Sequence, residues 1–139
     1  MTRITFYILQ SPEPDERLRI AMRLTEKAFQ QGNRVFINAA DENQAQALDD
    51  ELWRFRPASF LPHGLQGAAD ADAIAIGWGQ DPGDHSDVLI NLQLDIPAFF
   101  SRFQRVAEVV TQDEASLAAL RSSWRFYRSR GYELDKHEL

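Results

Sequence analysis

The sequence predicts an α/β protein, a single domain built on an open, mostly parallel sheet that is flanked by helices. Short apolar segments alternate with segments whose apolar residues recur at helical spacing, which is typical of a parallel sheet covered by helices. The 139 residues, 44% of them hydrophobic and 26% charged, match one ordinary globular domain. We therefore place one domain over residues 1–139.

The first strand and the first helix are predicted at the start of the chain. Residues 4–9 are β-branched and aromatic, and two prolines directly after them end any strand ladder. From Asp15 the apolar residues recur at helical spacing as far as Gly32, which favours a helix end. The apolar run at 4–9 is too short for a membrane span, so no membrane attachment is expected.

A second strand and a second helix follow. Residues 34–38 form a short apolar strand, and Asp41 with Gln44 three residues later is a start signal for the next helix. The segment 52–65 is aromatic but interrupted by two prolines and a glycine. We therefore expect neither regular helix nor central strand within it.

The second half of the chain continues the alternation. The predicted elements are strand 73–78, polar turn 80–87, strand 88–92, a short helix beginning near Pro97, strand 105–110, and a last helix from Asp113 to a Gly131 cap. The apolar run at 105–110 fits both the helical and the strand periodicity, and we favour a strand.

Charge and composition exclude several classes of function. The net charge is −6, which opposes non-specific attraction to a nucleic acid backbone. The chain has no Cys and therefore no disulfide, thiolate zinc site or Cys nucleophile, and its composition suits a reducing cytoplasm.

No motif for catalysis, a cofactor or a metal is present. The segment after the first strand, 10–14, lacks the glycines and the lysine of a phosphate-binding loop. The three histidines, at 63, 85 and 137, are far apart in sequence, and the acidic turn 80–87 departs from calcium-loop spacing. We expect no catalytic residue, cofactor or metal, and we interpret the acidic turn as solvated.

The last helix carries an unusual charge pattern. Residues 115–132 contain four arginines and no acidic residue, and Arg121, Arg125 and Arg128 stand at i, i+4 and i+7 on one helix face beside Trp124. A solvated face that complements the helix dipole is the simple explanation, but it does not require four arginines. The alternative is a surface that binds nucleic acid or an acidic peptide, and the acidic remainder of the chain favours the peptide.

Four stretches resemble the chi subunit family of bacterial DNA polymerase III. They are residues 4–9, residues 52–65 with their Leu-Trp and Phe-Leu-Pro-His elements, residues 87–92, and residues 124–132 with their Tyr-Arg and Gly-Tyr elements. The resemblance implies a Rossmann-like fold that binds no nucleotide. It also implies a non-catalytic, cytoplasmic accessory subunit that bridges the clamp loader, through its psi subunit, to the acidic C-terminal tail of single-stranded DNA-binding protein.

The resemblance also implies two partner-binding surfaces. The tail site falls on Val110, Arg121, Trp124, Arg125 and Arg128. The psi surface is placed on residues of the irregular aromatic segment, namely Leu52, Trp53, Phe60, Pro62 and His63. A loop folded onto its own core is the alternative for that segment. DNA would be contacted only indirectly.

Two other functions remain as alternatives. One is a nucleotide- or phosphate-binding enzyme on the same type of sheet. The other is a direct binder of single-stranded nucleic acid that uses the arginines of the last helix.

Overall fold

A computed structural model describes residues 2–54, 61–68 and 71–139. Within these residues lie seven strands, three α-helices and one short 3-10 helix. Their bounds are β1 Arg3–Ile8, α1 Pro14–Gln30, β2 Val35–Asn38, α2 Glu42–Arg54, β3 His63–Leu65, β4 Ile74–Gly77, β5 Val88–Asn91, the 3-10 helix Phe100–Arg102, β6 Arg105–Val110, α3 Glu114–Ser129 and β7 Glu133–Glu138.

The seven strands form one open sheet in the order β3-β4-β2-β5-β6-β1-β7. Every neighbouring pair is parallel. The predicted α/β class is therefore confirmed, and the sheet is wholly rather than mostly parallel. None of the described helices has both the length and the hydrophobicity that a membrane crossing requires.

Two apolar clusters cover the two faces of the sheet. Helices α1 and α2 pack on one face, where Ala21 and Leu48 meet Ile37 and Ile90. Helix α3 and the segment around the 3-10 helix pack on the other face, where aromatic side chains dominate. Because the central strands β2, β4 and β5 are buried along their whole length, the sheet lies between two helical layers.

The helix ends follow the signals in the sequence. The Asp41 carboxylate accepts a hydrogen bond from the Gln44 amide at 2.8 Å, and the Gln44 side chain accepts one from the Ala40 amide at 2.7 Å. This reciprocal arrangement satisfies two backbone donors at the start of α2. Gly131 follows α3 with a φ of 82°, a conformation that glycine adopts without steric cost. The interpretation of 105–110 as a strand is also confirmed.

The structure corrects two predictions. Leu52 to Arg54 complete α2, because Leu52 continues the buried row begun by Ala45 and Leu48, so the expectation of no regular helix in 52–65 is wrong for these residues. His63–Leu65 form a short strand at one edge of the sheet, which agrees with the expectation of no central strand. The second concerns residues 133–138, for which the sequence predicted no element and which form β7. Its residues are mostly charged and show no apolar alternation, and the strand forms through pairing with β1 at the opposite edge.

Candidate functional site

Helix α3 is fixed in place by a hydrogen-bonded cap at its N-terminus and by contacts on its buried face. The Asp113 side chain caps it by accepting a hydrogen bond from the Ser116 amide at 3.0 Å. On the buried face, the Tyr127 hydroxyl donates to the Glu108 carboxylate at 2.7 Å. Because these contacts fix the rotation of α3, its opposite face has a defined orientation towards solvent.

A groove of about 380 Å³ lies between α3 and the sheet edge formed by β1 and β7. It is lined by Ile8, Leu120, Arg121, Trp124, Arg125 and Lys136. Ile8, Leu120 and the indole of Trp124 provide apolar walls. The side chains of Arg121, Arg125 and Lys136 bring positive charge. The groove therefore combines an apolar interior with a cationic rim, which suits an anionic ligand that carries an apolar group.

Trp124 forms one wall of the groove and is held in place by the core. Its ring lies 5.3 Å, centroid to centroid, from the ring of Phe6, which is buried beneath it. The indole is partly buried and therefore leaves part of its surface to the groove. A rigid aromatic surface of this kind provides apolar contact and stacking at a low cost in side-chain entropy.

The arginines of α3 divide into two groups. Arg121 and Arg125 are exposed and line the groove, whereas Arg128 is exposed on the same helix face but outside the lining. Arg130, the residue after the end of α3, lies over the Phe126 ring, with 4.9 Å between the guanidinium carbon and the ring centroid. Within residues 2–54, 61–68 and 71–139, no carboxylate forms a salt bridge with Arg121, Arg125 or Arg128.

The groove differs in membership from the tail site that the resemblance implied. Val110 is 5% exposed and contributes to the core instead of the lining, although it pairs in register with Ile8 of the groove. Ile8, Leu120 and Lys136 are lining residues that sequence reasoning missed. Leu120 was detectable from the helical spacing, whereas Lys136 depends on β7, which the sequence did not predict.

The second predicted surface falls within residues 52–65, of which the structure describes 52–54 and 61–65. Leu52 and His63 are buried, at 3% and 1% exposure, and Pro62 is half-buried. Trp53 is 52% exposed and packs at 4.5 Å, ring to ring, on the His63 imidazole. His63 is thus a support beneath Trp53, and Phe60 lies outside the described residues.

The carboxyl ends of the central strands, where ligands usually bind in such sheets, are filled by amide side chains. Asn38 donates to Asn91 at 3.0 Å, and Asn91 donates to Glu108 at 2.9 Å. The Gln93 side chain closes the same region by donating to the Ala39 carbonyl at 3.0 Å. The cavity beside Gln93 and Glu108 holds only about 10 Å³.

The acidic turn 80–87 directs its carboxylates to different partners. Asp81 pairs with Arg102 at 2.7 Å, and Asp84 pairs with Arg34 at 3.1 Å. The carboxylate of Asp87 accepts a hydrogen bond from the Arg34 amide at 2.8 Å. Among the described residues, no group of three or more acidic or histidine side chains is arranged to hold a metal ion.

Comparison with known proteins gives a consistent result over nearly the whole chain. The family described as "DNA polymerase III chi subunit, HolC" matches residues 1–135. A Pseudomonas aeruginosa protein named DNA polymerase III subunit chi is 48% identical over 140 residues, covering 100% of this chain and 98% of that protein. Proteins of the same name from Haemophilus influenzae and Escherichia coli are 33% and 28% identical, each over at least 95% of both chains.

Proposed function

This chain belongs to the chi subunit family of DNA polymerase III, and from that membership we propose that it bridges the clamp loader to single-stranded DNA-binding protein. Chi is a subunit of the replicative polymerase complex, so the protein acts in DNA replication alongside other subunits. In this proposal it has no catalytic activity and no cofactor. It works in the cytoplasm by joining two proteins and contacts DNA only through them.

The observation that carries the proposal is the groove beside α3, because it is apolar inside and cationic at its rim. A tail that ends in acidic residues and a phenylalanine matches both properties. The aromatic side chain packs between Trp124 and Ile8, and the acidic residues meet Arg121 and Arg125. To make this contact, neither arginine has to break a salt bridge with a carboxylate of the residues that the structure describes.

Electrostatics favour a short acidic peptide over a long nucleic acid at this groove. Both ligands are attracted by the arginines, but the chain as a whole carries a net charge of −6. A long polyanion would extend beyond the groove and be repelled by the acidic body, whereas a short tail stays beside the arginines. The acidic tail is therefore the ligand that we propose.

The proposed contact with the clamp loader lies at Trp53, on a different part of the molecule. Trp53 is about half exposed near the end of α2, at 52%, and the buried His63 ring packs against it. An exposed indole on a rigid support is a common anchor of protein interfaces. We place the psi contact there, with Phe60 and Pro62 as further members of the surface.

The experiment that tests the bridge uses purified full-length single-stranded DNA-binding protein and a form that lacks its acidic C-terminal residues. The immobilised chain should retain the full-length protein and lose the truncated one. An unrelated single-stranded oligonucleotide should bind weakly in the same assay. Equal retention of both protein forms would contradict the proposal, and tight binding of the oligonucleotide would favour the direct nucleic-acid binder instead.

A further inference from the structure

Strand β7 faces α3 across the groove and brings one more cation to it. In the parallel register, Leu134, Lys136 and Glu138 lie opposite Ile4, Phe6 and Ile8 of β1. Because paired residues of parallel strands share a face, the side chains of these three residues point towards α3. Leu134 packs against the core there, whereas Lys136 lines the groove.

The position of Lys136 differs from that of the helix arginines. Arg121 and Arg125 border the groove from α3, and Lys136 borders it from the sheet edge beside Ile8. Its aliphatic stem continues the apolar surface, and the side chain as a whole is 59% exposed. A ligand seated on Trp124 would thus have cations on both of its sides.

We infer that strand β7 is part of the ligand site, and that Lys136 binds a carboxylate of the acidic tail from the side opposite the arginines. Glu138 competes with the tail for this ammonium group. The inference rests on the proposed tail site and adds to it a binding residue and an internal competitor, both supplied by the last strand.

The competition follows from the salt bridge that Lys136 already makes. Its ammonium nitrogen lies 3.8 Å from a Glu138 carboxylate oxygen, and the two side chains are 59% and 63% exposed. Such a long, exposed pair is weak, so an incoming carboxylate can displace it. Glu138 also places a negative charge on the same strand face as the groove, and that charge opposes an acidic ligand.

A simpler explanation of these charges is protection of the sheet edge. Charged residues on an edge strand discourage pairing with other chains, and β7 is an edge strand with mostly charged residues. Protection of the edge does not depend on the sign of the charge at each position of β7, and it predicts no effect of these residues on peptide binding. The two explanations therefore differ in a measurable way.

The test is calorimetric titration of the full chain with a synthetic peptide whose last residues are acidic and followed by a C-terminal phenylalanine. Lys136→Met retains the apolar stem and should weaken binding roughly three- to tenfold. Glu138→Gln should strengthen it roughly two- to threefold, because it releases Lys136 and removes a repulsion. The matched control is Lys27→Met, which removes the same charge from an exposed position on α1, a helix on the other face of the sheet.

The double variant separates competition from general repulsion. If Glu138 acts by occupying Lys136, most of the gain from Glu138→Gln should vanish in the Lys136→Met background. A full gain in that background would overturn the competition, and parent-like binding by Lys136→Met would overturn the inference as a whole. If Arg125→Ala loses affinity while Lys136→Met does not, the tail site stands and only the role of β7 falls. If the parent does not bind the peptide, both the proposed function and this inference are wrong.

Discussion

The Tyr127 hydroxyl donates a hydrogen bond to the buried carboxylate of Glu108, with 2.7 Å between the oxygens. This bond joins the helix that borders the groove to the centre of the sheet. Glu108 also accepts a hydrogen bond from Asn91, so both of its carboxylate oxygens have a donor. Burial nevertheless raises the pKa of Glu108 to about 7, because these bonds and nearby Arg17 offset only part of the cost of removing the charge from water.

This raised pKa predicts a specific dependence of stability on pH. Between the ordinary Glu pKa of about 4.5 and about 7, the folded protein retains a proton that the unfolded chain has lost. The contribution of Glu108 to the free energy of unfolding therefore decreases as pH rises through this range, by up to about 3 kcal/mol. Glu108→Gln should remove this contribution. The free energy of unfolding of the variant, measured by urea denaturation, should therefore increase relative to that of the parent between about pH 5 and pH 8.

The stability of the parent also depends on other titrating groups, so the comparison with the variant is essential. Burial lowers the pKa of His85, which makes the parent less stable as pH falls and opposes the effect of Glu108. A hydrogen bond from Thr111 holds the pKa of Asp113 at about 2, below the range in question. Since His85 and Asp113 are unchanged in the variant, parallel stability profiles of parent and Glu108→Gln would show that Glu108 does not titrate in this way.

Trp124→Ala should weaken binding of the acidic peptide by about 1–3 kcal/mol while leaving its salt dependence nearly unchanged. The indole contributes apolar contact, which salt screens far less than charge. Titration calorimetry at two salt concentrations measures both quantities. Trp53→Ala is the matched control because it removes an indole on another surface, and a clear reduction in salt dependence for Trp124→Ala would argue against an apolar role.

Trp53→Ala should weaken assembly with the clamp loader and leave binding of the acidic peptide unchanged. The side chain is half exposed, so its loss should cost little stability, and a melting curve would verify this. Phe60→Asp should have the same effect on assembly. Co-purification with reconstituted clamp-loader subunits is the measurement, and normal assembly of both variants would place the contact elsewhere.

Local patterns predicted α3 well because helical spacing and capping are properties of neighbouring residues. The alignment of Arg121, Arg125 and Trp124 could be inferred from the sequence, and all three line the groove. Strand β7 could not be inferred in this way, because Glu133–Glu138 has no apolar alternation and depends on backbone pairing with a strand at the other end of the chain. Lys136 was missed as a consequence.

The burial of individual residues was also beyond local reasoning. Leu52 and His63 belong to an aromatic segment that suggested an exposed surface, yet both are buried. Leu52 completes the buried row of α2, and His63 is held by the Leu61 carbonyl at 2.7 Å beneath the Trp53 ring. Such positions are decided by packing between segments, which spacing along the chain does not reveal.

The central claim is that the groove beside α3 binds an acidic tail, and titration calorimetry of charge-reversed variants tests it most directly. The parent should bind the acidic, phenylalanine-terminated peptide with an affinity that falls as salt rises. Arg125→Glu should cost more than Arg125→Ala, with each change on the order of 1–3 kcal/mol, because reversal removes an attraction and adds a repulsion. Arg128→Glu, outside the lining, should cost less than Arg125→Glu. If Arg125→Glu binds the peptide as tightly as the parent, the tail site does not lie in this groove.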